Sequence, residues 1–186
     1  MSETELELIR RLKKGDPSAF HRLVDGYANR LYGLAHSLLG NAQDAEDVVQ
    51  ETLSGVFRSI GMFQERSSLW TWLAKILVRQ VARSRRSLTA KSFRLRMDSP
   101  VEELDRSTGL LPGVASVATR TDAKIDVAAA LDTLSPEYRE IVVLREMQHM
   151  SYEEISQVLG MPLGTVESRL FRARGELRKL LAAWKA

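Results

Sequence analysis

The stretch SYEEISQVLGMPLGTVESRLFRARGELRKLL, Ser151 to Leu181, constrains the fold most, because it reads as two helices across a tight turn, the second strongly basic. Ser151 and Glu154 have the spacing of a capping box: the hydroxyl accepts from an early free backbone N–H, and the carboxylate reaches back to the N–H of Ser151. Ile155, Val158 and Leu159 give the first helix an apolar side. Gly160 can adopt the left-handed conformation that ends a helix, and Pro162 confirms the break. The second helix begins near Leu163, so the stretch is a helix-turn-helix.

At about 100° per residue, Val166, Leu170, Ala173, Leu177 and Leu180 share one side of the second helix, and Ser168, Phe171, Arg172 and Lys179 lie roughly opposite. The first side packs and the second is free to read a partner. Phe171 is the informative residue, since a large ring among Ser and Arg on a solvent face leaves water only when something docks there. A DNA major groove fits, because thymine methyls offer apolar contact and Arg can grip guanine or phosphate. The plainer alternative is a surface helix with solvated arginines and Phe171 tucked against a neighbouring helix.

The remaining chain is long enough for a second small domain, and a hydrophobic fraction of 44% over 186 residues supports packed cores. Cysteine is absent, and His21, His36 and His149 lie in unrelated contexts, so no metal and no cofactor are expected. The opening MSETELELIRRLKKGD has no apolar run, and no later stretch approaches the roughly 20 apolar residues of a membrane span. A cytoplasmic location without membrane insertion is the expectation. The net charge of +3 is mild, so its distribution matters more than its sum.

In chain order, Thr4 and Glu7 can cap a short helix carrying Leu6, Ile9 and Leu12 that stops at Gly15. Asp16-Pro17 then restarts the chain as N-cap and first-turn proline. Phe20, Leu23, Val24, Tyr27, Leu31, Leu34, Ala35 and Leu38 predict a long helix with one buried side, ending at Gly40-Asn41. The next helix, Ala42 to Ile60, is expected to bury Val48, Val49, Thr52, Leu53, Val56 and Phe57 and to expose Asp47, Gln50, Glu51, Ser54 and Arg58. Its early acids suit the helix dipole.

After a loop over 61–68, the segment from Leu69 carries an apolar stripe of Leu69, Trp72, Leu73, Ile76 and Leu77, which favours a core place for Trp72 over Trp70. From Lys75 to Met97 there are eight Lys or Arg and no acid, a block that repels itself unless a polyanion lies alongside. Residues 98–121 lose all period and read as a linker. Helical pattern resumes from Lys124 to Leu134, and Ser135-Pro136-Glu137 opens a further helix with Ile141, Val142 and Leu144 inside. The expected fold is all-α: two small helical domains, 1–97 and 122–186, joined by a flexible linker, the second holding the helix-turn-helix.

Two blocks in this order resemble the extracytoplasmic-function class of bacterial sigma factors. DAEDVVQETLSGVF followed by WTWLAKI looks like its promoter-melting domain, and LSPEYREIVVLREMQHMSYEEISQVLGMPLGTVESRLFRAR looks like its upstream-element-binding domain. The resemblance implies RNA polymerase core, promoter DNA and an anti-sigma protein as partners. It implies core docking at Asp47, Gln50, Glu51 and Ser54. It places downstream-element contacts in the base-holding loop at Phe63, Gln64, Ser67 and Ser68, and along the helix at Trp72, Lys75, Arg79, Arg83 and Arg86. Upstream-element contacts fall at Thr165, Glu167, Ser168, Arg169, Phe171, Arg172 and Lys179.

This chain departs from the family pattern at Arg79, where many members carry Asn, and at Arg83, where an Asp is usual. Ser156 replaces the usual Ala, and Glu167 stands at a commonly basic position. A repressor or activator with an N-terminal dimerisation domain remains an alternative, although it has no need of the second basic block. A helical signalling adaptor leaves Phe171 unexplained. An enzyme lacks support, since no nucleophile-base set or phosphate loop occurs.

Overall fold

The computed structural model describes residues 3–97 and 127–185, and every regular element among them is helical. The helices are α1 (Glu3–Lys13), α2 (Pro17–Leu39), α3 (Ala42–Ser59), α4 (Leu69–Met97), α5 (Val127–Thr133), α6 (Pro136–Val142), α7 (Tyr152–Leu159) and α8 (Leu163–Lys185). A 3₁₀ turn, Ile60–Met62, follows α3, and a π turn, Val143–Met147, continues α6. The expected linker over 98–121 lies outside the described residues, as does the start of the helix anticipated from Lys124.

Most boundaries sit where local chemistry puts them. Asp16 caps α2 by accepting from the N–H of Ser18, with Pro17 in the first turn, and Arg11 donates to the same carboxylate at 2.8 Å. That guanidinium, with help from Ser18, holds the Asp16 carboxyl down at about 2. Asn41 caps α3, Ser135 caps α6, and Ser151 with Glu154 forms the complete capping box of α7. Gly40 ends α2 with φ of +77°, and a Cβ there would also lie 3.1 Å from the Asp132 carboxylate.

Helices α2, α3 and α4 pack together, with α1 laid over α2 and the 3₁₀ turn. Helices α6, α7 and α8 form the second group, joined by α5 on α8. The two groups share one apolar core, because α7 packs along α4. Leu69, Leu73 and Leu77 of α4 are fully buried, each contributing about 1.5–3 kcal/mol.

That double packing changes the α4 stripe expected from a one-sided helix. Trp70 is the buried tryptophan, 6% exposed, and Trp72 is only half-buried. Trp70 stacks parallel to Tyr27 of α2 at 6.3 Å and carries the Arg30 guanidinium 3.8 Å from a ring centroid. Phe57 is also corrected. It is 64% exposed, in T-shaped contact with Phe20 at 5.4 Å, so it does not belong to the buried side of α3.

Polar bonds converge on the last turn of α2. The Leu38 carbonyl accepts from Arg85 of α4 at 2.6 Å and from Arg139 of α6 at 3.3 Å. Arg139 is almost fully buried, donates to the Leu131 carbonyl at 2.8 Å and pairs with Asp132. Arg85 pairs with Glu140 at 2.8 Å, yet burial pushes the Glu140 carboxyl up and the Arg85 guanidinium down, each against the pull of the other. Arg139→Met keeps the apolar stem and removes three polar bonds, leaving the buried Leu131 carbonyl without its guanidinium. It should cost about 1–3 kcal/mol, read as a lower urea midpoint with unchanged slope.

Candidate nucleic-acid and polymerase interfaces

Three surfaces collect the candidate residues. The first is a strip on α3: Asp47, Gln50, Glu51 and Ser54 are all exposed and one helical turn apart. Phe57 continues this strip. It projects only about 20° from Gln50, a phase that the apolar count along α3 hides. The strip is therefore acidic at its start and ends on an exposed aromatic ring.

The second surface is an open pocket of ≈ 410 Å³ between the 3₁₀ turn, the loop and the first turns of α4. Gln64 and Ser67 line it from the loop, Trp72 and Lys75 from α4, and Gln157 from α7. Phe63 also lines it but is 4% exposed, its ring 4.9 Å from Trp72, so it forms part of the wall rather than an outlying contact. Ser68 serves as the cap of α4: its oxygen accepts from the N–H of Thr71 at 3.1 Å and lies 2.8 Å from the Thr71 hydroxyl. Thr71 in turn donates to Glu154 at 2.9 Å, which brings the start of α7 to the pocket rim.

Beyond the pocket, Trp72, Lys75, Arg79, Arg83 and Arg86 follow one another along α4 at steps of three and four. Arg79, Arg83 and Arg86 are exposed, and none pairs with a carboxylate among the described residues. Arg85, in the same basic block, is spent on Leu38 and Glu140 and leaves that row.

The third surface is the outer side of α8. Ser168, Phe171, Arg172 and Lys179 are exposed on one strip, Phe171 at 73%, while Val166, Leu170 and Ala173 are buried. Phe171 does not tuck into a neighbouring helix. Thr165 is half-buried at the start of the strip and accepts from the Ser168 hydroxyl through its carbonyl at 3.2 Å. Arg169 does not join it: half-buried, it turns to Glu137 of α6 at 3.5 Å, one residue round the helix from Ser168. Glu167 is exposed on the other flank. Lys179 pairs loosely with Glu176 at 3.2 Å.

The turn before α8 carries a bond that a chain with Ala at 156 lacks. Ser156 donates from its hydroxyl to the Met161 carbonyl at 2.6 Å, and the N–H groups of Gly160 and Met161 both return to the Ser156 carbonyl. Gly160 sits at φ of +65° between them.

An exposed aromatic-basic strip lies on the second helix of a helix-turn-helix, and a separate basic helix runs from an aromatic pocket; both have the charge and shape that nucleic acid would fit. Residues 23–91 match the family description Sigma-70 region 2, and residues 124–177 match Sigma-70, region 4. The chain is 39% identical over 171 residues to the ECF RNA polymerase sigma factor SigE of Mycolicibacterium smegmatis, covering 90% of this chain and 65% of that protein. It is 32% identical over 188 residues to the RNA polymerase sigma-H factor of Pseudomonas aeruginosa, covering 96% and 94%.

Among solved structures it is similar to CnrH in complex with the cytosolic domain of CnrY: TM-score 0.68, 26% identity, 97% of this chain and 99% of that one. It is also similar to the sigma factor RpoE of Bartonella quintana in complex with the anti-sigma factor NepR: TM-score 0.66, 29% identity, 88% and 96%. The chain belongs to the extracytoplasmic-function class of bacterial RNA polymerase sigma factors and is an alternative sigma factor. The repressor reading with an N-terminal dimerisation domain is not favoured. No described helix is long and apolar enough to cross a membrane.

Ser156→Ala should cost about 1 kcal/mol by removing the bond across the turn while leaving the α8 strip in place. Thermal melting checks the loss, and unchanged duplex binding well below the melting temperature checks that the strip is intact.

Proposed function

We propose that the three surfaces divide the work of initiation. The α3 strip, Asp47, Gln50, Glu51 and Ser54 with Phe57 at its end, docks on RNA polymerase core. The pocket and the basic row of Lys75, Arg79, Arg83 and Arg86 capture the opened downstream element, the pocket taking an unstacked base between Trp72 and the loop. The α8 strip reads the upstream element in the major groove through Ser168, Phe171 and Arg172. On this reading 1–97 and 122–186 are separate functional domains and 98–121 connects them. The protein works in the cytoplasm as a binding factor rather than an enzyme, held in check by an anti-sigma partner, as the names of its structural relatives suggest.

The observation that carries this reading is the segregation of charge: an acidic strip on α3, and the exposed Arg79, Arg83, Arg86 and Arg172 on α4 and α8 beside pocket-lining or exposed aromatic rings, none of the four in an ion pair among the described residues. Backbone grip by Arg79 and Arg83 is sequence-independent, so the downstream element should tolerate base changes better than the upstream one, and opening should weaken steeply with salt. Runoff transcription from a candidate promoter by bacterial core enzyme, with and without this protein, tests the function as a whole. No protein-dependent transcript would leave the initiation role unsupported.

Charge reversal at Asp47 and Glu51 should abolish co-elution with core while preserving the fold, since both side chains are exposed. Normal core affinity in that variant rules out the α3 strip as the docking face. Arg172→Ala should weaken upstream-element binding by about 1–3 kcal/mol if its guanidinium meets a base edge. A footprint of the upstream element matching that of the parent excludes that role.

A further inference from the structure

The loop between the 3₁₀ turn and α4 is held from outside by α1. At its far end, Glu5 of α1 accepts from the N–H of Leu69 at 3.3 Å. In its middle, Lys13 from the last turn of α1 donates to Glu65 at 2.5 Å, across 52 residues of chain, and its ammonium lies 5.9 Å from the centre of the Phe63 ring. Glu65 itself has φ of +58°, the left-handed conformation that an L residue with a Cβ rarely adopts and that glycine adopts freely. A chain needing only the turn is best served by Gly or Asn there. Glutamate at this position makes sense when its carboxylate is in use, and the partner it uses is Lys13.

The consequence lies on either side of it. Gln64 and Arg66 both line the pocket, and Glu65 does not. The dihedral at residue 65 sets the relative directions of its two neighbours, so a return to negative φ would swing one of them away from the pocket wall. We propose that Lys13 and Glu65 are positioning residues for base capture: the ion pair fixes the left-handed turn that aims Gln64 and Arg66 at an unstacked base. This rests on the reading of the pocket as a base site.

The pair is about one-third exposed on both sides, and ion pairs of that kind contribute little to global stability. Its loss should therefore alter what the pocket holds without unfolding the chain. Glu65→Ala is the sharpest variant, because it removes the tether while its Cβ keeps the left-handed conformation costly.

The test uses holoenzyme reconstituted from core and the full chain. The probe is the non-template single strand of a promoter that it transcribes, made with every base present or with one abasic site at each position in turn. With the parent, removal of the captured base should weaken binding roughly tenfold. With Glu65→Ala or Lys13→Met that ratio should fall to about twofold or less, while affinity for the abasic strand and the melting temperature stay as in the parent. Lys13→Arg, which keeps the charge, should retain the parent ratio. Parent-like ratios in both Glu65→Ala and Lys13→Met overturn the positioning role. If removing a base at any position leaves parent binding unchanged, the pocket is not a base site, and the inference falls with that reading.

Discussion

The structure depends on α4 being buried from two directions while leaving a third side in water. α2 and α3 cover it along one flank and α7 covers another, so Leu69, Trp70, Leu73, Ala74, Leu77, Val78 and Val81 are all buried. An ordinary surface helix hides a single stripe of about 100°, and α4 hides a much wider arc. The remaining side is too narrow for mixed use. Its solvent positions beyond the first turns include Arg79, Arg83 and Arg86, spaced so that all three point outward together. The same packing that makes α4 the hub of the core confines its cations to one line.

The polar bonds reinforce that geometry instead of competing with it. Glu154 uses one carboxylate oxygen to close the capping box of α7 and the other to accept from Thr71 at the start of α4. At the opposite end of the contact, Arg85 and Arg139 both donate to the Leu38 carbonyl, one of the last carbonyls of α2, where a helix C-terminus attracts positive charge. Burial disfavours the charged forms of Arg85 and Glu140, so their pairing adds orientation more than stability. Apart from the capping bond, each joins residues far apart in sequence, and the Thr71–Glu154 bond ties the start of α7 to the pocket rim.

Local chemistry was legible in the sequence wherever a signal acts within a few residues. The capping box at Ser151, the Asp16-Pro17 start, the left-handed Gly160 and the outward strip of Ser168, Phe171, Arg172 and Lys179 all follow from spacing alone. What failed depends on which neighbours a helix meets. Trp70 and Trp72 exchanged expected burial because periodicity finds one apolar stripe, and α4 has two packing partners. Hydrophobicity groups Phe57 with Val56, although its phase is that of Gln50. Arg169 and Arg85 look like any other cation in a basic run until α6 supplies Glu137 and Glu140 as their partners. The π turn at 143–147 has no local signature in the sequence at all.

Two populations of arginine thus stand out among the described residues, and composition cannot separate them. Arg85 and Arg139 each make several bonds to protein groups, and burial works against the charge of Arg85. Such groups are unavailable to a polyanion, because releasing them would strand carbonyls in the core. Arg79, Arg83, Arg86 and Arg172 are exposed and keep their water, so exchanging it for phosphate or base costs little. A net charge of only +3 is therefore compatible with strong local attraction for nucleic acid. Asp44, Glu46, Asp47 and Glu51 gather toward the start of α3, Asp132 and Glu140 pair with structural arginines, and the exposed Arg79, Arg83, Arg86 and Arg172 lie on two helices that also present pocket-lining or exposed aromatic rings.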